Sequence, residues 1–268
     1  MDEKRVIATI KDIEKQLKVD LSRSIKTFYD DGATDATVFD MDKKYLVKLT
    51  DLNTIRTQVE FLKQNPDGVF QNLLCRNEEL GYECFEFIDG VHYRGKLIDA
   101  KYATEQIARI VSKYRKYPHK GYGFLNAEHA TWRAFLLDEI EYARRNIGDI
   151  STDKVMAALD VAGREEPEQF LMHGDFGTHN FLLEGDRIRV IDPMPVVGDY
   201  LYDFYFALLS NVEIFTKLGD GYIYSFFKER DLTYRKNLAI VALYVRMSRA
   251  AVYDKENLQA YIDLYERI

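Results

Sequence analysis

The sequence predicts an α+β chain in two parts: a small antiparallel sheet carrying one helix, then a larger, mainly helical part. Three observations carry this. Short apolar and alternating runs, punctuated by Asp, Asn and Gly, fill the stretch from Ser24 to Gly90. These runs follow one another as a meander, without the strand–helix–strand alternation of a parallel sheet. From Lys96 onward apolar residues recur mostly at helical spacing.

Taken in order, residues from about Glu3 to Leu17 predict an amphipathic helix with Val6, Ile10, Ile13 and Leu17 on one face. Ile25 to Tyr29, Ala36 to Phe39 and Tyr45 to Leu49 predict three short strands, separated by Asp30-Asp31-Gly32 and Asp40-Met41-Asp42. A helix from Leu52 to Gln64 stops at Asn65-Pro66-Asp67-Gly68. Phe70 to Arg76 and Tyr82 to Ile88 predict two more strands, ending at Asp89-Gly90. Helices are expected over Lys96–Tyr114, Thr131–Asn146, Thr152–Ala162, Tyr200–Leu209, Tyr222–Phe227, Tyr234–Val245 and Leu258–Arg267. A strand pair around Glu184-Gly185-Asp186 interrupts them, and Pro193 to Asp199 reads as a short stiff loop. The expected division is 1–89 and 90–268, with Asp89-Gly90 as the hinge.

The 268 residues suffice for two real cores. A net charge of −7 argues against wholesale nucleic-acid binding and slightly favours a cationic or neutral small molecule. The only cysteines are Cys75 and Cys84, and no secretory leader is evident at Met1-Asp-Glu-Lys-Arg, so a reduced cytoplasmic protein is expected. No apolar run is long enough to span a membrane. A monomer or a homodimer is expected.

The stretch that carries chemistry is Leu171-Met-His-Gly-Asp-Phe-Gly-Thr-His-Asn-Phe-Leu-Leu183, followed by Arg187-Ile-Arg-Val-Ile-Asp192. A polar loop between apolar walls is either a hydrogen-bonded knot or an active site. Asp175 is suited to accept a proton from a hydroxyl, and Asn180 with Asp192 to hold a hard cation by oxygen. His-Gly-Asp with Asn five positions after the Asp arises by chance in on the order of one chain in a thousand, which favours a functional reading. His173 reads as a loop brace, His179 has no assigned role, and Asp199 and Asp203 are explained equally by helix capping or by chemistry. Neither G-x-x-x-x-G-K-[ST] nor G-x-G-x-x-G is present, so a phosphate site must be built another way. The turn Asp31-Gly-Ala-Thr34-Asp35 offers backbone N–H groups and the Thr34 hydroxyl, but a plain hairpin explains it as well. Lys48 is either an edge residue or an inner-face phosphate ligand, and Glu60 on the next helix is either solvated or its partner.

Together these residues resemble the aminoglycoside phosphotransferase-like kinases, which include choline, homoserine, methylthioribose and fructosamine kinases. The resemblance runs from about Thr27 to Phe206. It is most specific at His173-Gly-Asp-Phe-Gly-Thr-His-Asn180, Val190-Ile-Asp-Pro193 and Gly198-Asp199 with Asp203. It implies a bilobal, protein-kinase-like fold that uses ATP or GTP with Mg²⁺. Gly32 to Phe39, including Thr34, would be the nucleotide loop. Lys48 and Glu60 would be the lysine–glutamate pair, and Glu86 and Ile88 would belong to a hinge contacting the base through its backbone. Asp175 would be the catalytic base, and Asn180 and Asp192 the metal ligands. The acceptor would be a hydroxylated small molecule: an aminoglycoside or related antibiotic first, a choline, homoserine or sugar substrate as the alternative. Glu213, Asp220, Glu229, Asp231 and nearby tyrosines suit a cationic acceptor or an ordinary helix surface. The nucleotide loop has a single glycine, Gly174 stands where protein kinases have Arg, and no Ala-Pro-Glu or long activation loop is present. Two other readings stay open: a metal-dependent phosphohydrolase built on His173, Asp175, His179 and Asp192, and a nucleotide-binding pseudoenzyme.

Overall fold

A computed structural model describes residues 3–29, 36–93, 99–148 and 150–268. In chain order the elements are α1 (Glu3–Leu17), β1 (Lys26–Tyr29), β2 (Thr37–Met41), β3 (Tyr45–Leu49), α2 (Leu52–Gln64), β4 (Leu73–Asn77), β5 (Tyr82–Glu86) and β6 (Val91–His92). They continue with α3 (Ala100–Val111), β7 (Tyr122–Phe124), β8 (Ala127–His129), α4 (Trp132–Ile147), α5 (Asp153–Ala162), β9 (Phe170–Met172), β10 (Phe181–Glu184), β11 (Arg187–Val190) and β12 (Val196–Gly198). The helices α6 (Leu201–Leu209), α7 (Val212–Ile223), α8 (Leu232–Tyr253) and α9 (Leu258–Arg267) close the chain. The chain divides into two compact units: Met1–Val91 with Leu182–Asp192, and His92–Phe181 with Pro193–Ile268. The hairpin of β10 and β11 thus groups largely with the first unit, although the sequence reading placed it in 90–268.

The first unit holds a five-stranded sheet in the order β1-β2-β3-β5-β4, antiparallel throughout. Its alternation follows from the pleat: Tyr45, Val47 and Leu49 of β3 are buried, while Leu46 and Lys48 on the opposite face are half-buried. The buried face packs against α1, where Val6, Ile10 and Ile13 meet Phe39, Met41, Val47, Cys75, Tyr82 and Cys84. Each large apolar side chain buried this way contributes about 1.5–3 kcal/mol, which commits this face to core and leaves the Lys48 face for other work. Arg5 fixes α1 in place by donating to the carbonyls of Leu80 and Gly81 at 3.0 and 2.7 Å. Helix α2 starts at Asp51, whose carboxylate accepts from the N–H groups of Asn53 and Thr54.

The second unit is mainly helical, with α8 buried along most of its length beside α4, α5 and α6. Four short strands form an antiparallel sheet in the order β8-β7-β12-β9. No helix among the described residues is long and apolar enough to cross a membrane.

Several boundaries differ from the sequence expectation. Helix α8 runs from Leu232 to Tyr253 and not only to Val245, because Arg246 and Ser248 are buried polar residues that interrupt an apolar count. Of the helix expected at Tyr222–Phe227 only the first two residues are helical, as the end of α7 (Val212–Ile223), which is broken at Gly219 with φ of 71°; turns follow it. Val196–Gly198, read as loop, is the strand β12.

Candidate active site

In the second unit, β9 delivers the chain from the buried pair Leu171 and Met172 into the loop His173–Asn180. Backbone hydrogen bonds shape the entry: the Met194 N–H donates to the His173 carbonyl at 2.8 Å. Gly174 has φ of 81°, and a Cβ built there would lie 2.0 Å from the Met194 carbonyl oxygen. No L side chain fits that position without moving backbone.

Asp203, with no solvent exposure, anchors this turn from α6. Its carboxyl accepts from the Tyr114 hydroxyl at 2.9 Å, the His173 N–H at 2.8 Å and the Gly174 N–H at 3.1 Å. Burial pushes its pKa up to about 7 against the pull of those donors. Asp199, also buried, accepts from the Leu201 N–H at 3.0 Å and the Tyr234 hydroxyl at 2.7 Å and pairs with Arg230. Gly198 is required by Trp132: a Cβ there would meet the indole ring at 2.2 Å.

Inside the loop, Asn180 donates its side-chain N–H to the Asp175 carbonyl at 2.9 Å and to the Asp175 carboxylate at 3.0 Å. That geometry leaves the Asn180 amide oxygen as its remaining acceptor. His179 Nε2 lies 3.1 Å from Asp175 Oδ2. Burial raises the Asp175 pKa, but the hydrogen bond and charge of His179, with the fields of His173 and Arg249, outweigh it and hold the carboxyl well below the usual range. Arg249 comes from α8, rests over the Tyr142 ring at 5.4 Å, and was not identified in the sequence. Only the tertiary fold brings it to the loop, so no local pattern points to it.

In the first unit, Lys48 is ion-paired with Asp192. Asp192 follows β11 with φ of 58°, a left-handed conformation uncommon for a non-glycine residue. The Gln58 side chain donates to the same carboxylate at 3.3 Å. Thus α2 sends an amide toward Asp192, and among the described residues the ion pair of Lys48 is with Asp192 and not with the half-buried Glu60. Across the sheet from Lys48, in register, lies the buried Glu83, which the sequence reading passed over. Its signal was a lone carboxylate in the apolar run Tyr82-Glu-Cys-Phe85.

At the end of β5, the Glu86 carboxylate pairs with Arg189, and the Glu86 carbonyl accepts from Gln71 at 2.9 Å. Ile88 is buried and its carbonyl accepts from the Gly90 N–H at 2.9 Å, while its own N–H has no partner among the described residues. Thr34 lies outside the described residues. Of the four acids offered for a cationic acceptor, Glu213 pairs with Lys217, Glu229 accepts from Tyr200 and Asp231 caps α8. The side chain of Asp220 lies outside the described residues.

A left-handed Asp carrying a strand lysine in the first unit, and a loop that presents one Asp beside one Asn in the second, are residue types that kinase-type phosphotransfer uses. The sequence profile of the Phosphotransferase enzyme family matches residues 30–240, and the chain belongs to that family. It is a small-molecule kinase that transfers phosphate to a hydroxyl.

Solved structures share the fold. A choline kinase from Cryptosporidium parvum superposes with a TM-score of 0.66 at 11% identity, over 98% of this chain and 94% of that one. The ternary complex of streptomycin, ATP and the aminoglycoside phosphotransferase APH(2")-IIa gives 0.58 at 15% identity, over 100% and 97%. A thermostable mutant of APH(4)-Ia with AMP-PNP and hygromycin B gives 0.59 at 18% identity, over 96% and 97%. No curated protein sequence is significantly similar to the chain.

Proposed function

We propose that the chain transfers the γ-phosphate of ATP, or of GTP as the alternative nucleotide, to a hydroxyl of a small molecule with Mg²⁺. The observation that carries this reading is the pair Lys48–Asp192, a strand ammonium resting on the carboxylate assigned to the metal. Asn180 and Asp192 offer the side-chain oxygens that Mg²⁺ takes. Asp192 already carries a cation, its side chain is 43% exposed, and Asn180 offers its amide oxygen. A hard cation held by two side-chain oxygens completes its shell from phosphate oxygens and water. Among the described residues no group of three His, Cys, Asp or Glu is arranged to hold a metal ion, which the phosphohydrolase reading needs.

When bound, Mg²⁺ neutralises charge on the transferring phosphates. Lys48 holds the α- and β-phosphate oxygens as a point charge. The Ile88 N–H donates to the nucleotide base, while the Glu86 carbonyl is already committed to Gln71. Asp175 accepts the acceptor hydroxyl's hydrogen bond. Because its carboxyl is held well below the usual range, it is a weak base that orients the hydroxyl and takes its proton late. Positioning therefore supplies most of the acceleration.

An aminoglycoside or related antibiotic is the first acceptor class by resemblance. A second reading is a metabolic acceptor of the choline, homoserine or sugar type, and one observation favours its members without net positive charge, homoserine and sugars. The fields that bear on Asp175 are cationic, from His179, His173 and Arg249, and three of the acids proposed for a polycation are engaged elsewhere. ADP release with Mg-ATP across aminoglycosides, amino alcohols, homoserine and sugars tests both readings. With the accepted substrate, Asp175→Ala lowers turnover on the order of 10²–10⁴-fold. Near wild-type turnover in that variant removes the assignment of Asp175.

A further inference from the structure

The roles assigned above make no use of Glu83. It is the second residue of β5 and has no solvent exposure, and among the described residues neither carboxyl oxygen has a hydrogen-bond partner. A buried carboxyl in that state is unfavourable and needs a reason. Burial pushes its pKa up to about 8, with Lys48 the strongest opposing influence. Register explains that influence. In the antiparallel pair of β3 and β5, Lys48 lies directly opposite Glu83, and on the other side Arg76 of β4 also faces Glu83. Directly opposed residues share a sheet face, with Cβ atoms about 4.5–5.5 Å apart. Arg76 has a partner at the rim, Glu78 at 3.8 Å. Lys48 is held by Asp192, although its stem is rooted beside Glu83.

One ammonium thus has two carboxyl groups beside it, Asp192 which it occupies and Glu83 which it does not. Helix α2 supplies Gln58, an amide already donating to Asp192, and among the described residues no ion pair joins its Glu60 to the lysine. A cation arriving with the nucleotide on Asp192 repels the Lys48 ammonium and takes its counter-charge. The ammonium then needs another carboxylate on the same sheet face.

We propose that Glu83 is the positioning residue of Lys48: the ammonium rests on Asp192 without nucleotide and moves to Glu83 when nucleotide and its cation engage Asp192. A strand carboxylate, cross-strand from the lysine, then fulfils what the family resemblance assigned to a helix carboxylate. Gln58 keeps the Asp192 carboxylate aimed while the lysine leaves it. The proposal rests on the reading of Lys48 as a phosphate-binding lysine.

The test is a double-mutant cycle read by MgATP affinity in a calorimeter, without acceptor, alongside the melting temperature of each variant. Lys48→Ala and Glu83→Gln each weaken MgATP binding roughly tenfold, the loss from Glu60→Gln is smaller, and the Lys48→Ala/Glu83→Gln double variant binds no more weakly than Lys48→Ala alone. A purely structural Glu83 gives losses that multiply in the double variant, and that result overturns the proposal. Wild-type affinity in Glu83→Gln beside a weakened Lys48→Ala overturns it too, as does a larger loss in Glu60→Gln. Unchanged affinity in Lys48→Ala removes the reading of Lys48 itself and is thereby told apart from failure of Glu83 alone. If Glu83→Gln does not fold, Glu83→Asp takes its place in the same cycle with the same criteria.

Discussion

Replacing Asp203 by Asn tests whether the phosphotransfer loop is held from α6. The carboxyl receives Tyr114 and His173 on Oδ2 and Gly174 mainly on Oδ1. An asparagine that keeps its oxygen at the Oδ2 position retains the first two donors. Its NH₂ then faces the Gly174 N–H at about 3.1 Å, donor against donor. The Gly174 N–H keeps only its longer bond, 3.3 Å to the Oδ2 position, and a buried donor weakened in this way costs up to about 1–3 kcal/mol, while a flipped amide strands the His173 N–H instead. The expected loss is therefore about 1–3 kcal/mol, a large share of a typical domain's 5–15 kcal/mol. Urea unfolding followed by tryptophan fluorescence reads it, since Trp132 is fully buried in the same unit. Turnover falls as well, because Gly174 precedes Asp175. Unfolding within 0.5 kcal/mol of wild type, with unchanged turnover, refutes the anchoring role of Asp203.

Gly174→Ala forces a Cβ to within 2.0 Å of the Met194 carbonyl at a φ of 81°. Misplacing Asp175 by about 1 Å lowers kcat on the order of 10²-fold, and steady-state kinetics read it. Gly198→Ala drives a methyl into the Trp132 ring and is expected to lower stability by about 1–3 kcal/mol by overpacking, measured by thermal unfolding. Arg249→Ala removes a cation that lowers the Asp175 pKa, so that pKa rises and the acid limb of the kcat profile moves to higher pH. Glu83 is a carboxyl whose folded pKa, about 8, lies above its unfolded value near 4.5. Its contribution is fully present below pH 4.5 and is lost as pH rises toward 8. Glu83→Gln therefore flattens that decline, and denaturant unfolding at pH 5 and pH 8 shows it.

The parts of the fold that could be read from the chain are those whose pattern is local. Val6, Ile10 and Ile13 mark α1, and Tyr45, Val47 and Leu49 mark β3, because spacing alone sets which face is buried. Three-residue strands such as β7 and β12 are too short for an alternation to register, and they exist because they pair with each other. At the site, Asp175 and Asn180 are five residues apart and bond directly, so the motif carries its own geometry. Lys48 and Asp192 are joined across 144 positions, and Glu83 reaches Lys48 only through strand register. Helical reasoning pointed to Glu60 because a helix follows Lys48 in sequence; the buried polar side chain of that helix is Gln58.

The first unit is not a contiguous piece of chain. The polypeptide leaves it after Val91, returns at Leu182 and departs again after Asp192. Cutting the gene near codon 90 therefore yields a sheet with Lys48 and Glu83 but without the carboxylate that Lys48 holds. Exchange of nucleotide-handling halves between relatives must carry two separate segments at once, residues up to 91 and 182–192. A single crossover anywhere between codons 48 and 192 separates Lys48 from Asp192, so the pair stays together only when the exchange falls outside that interval.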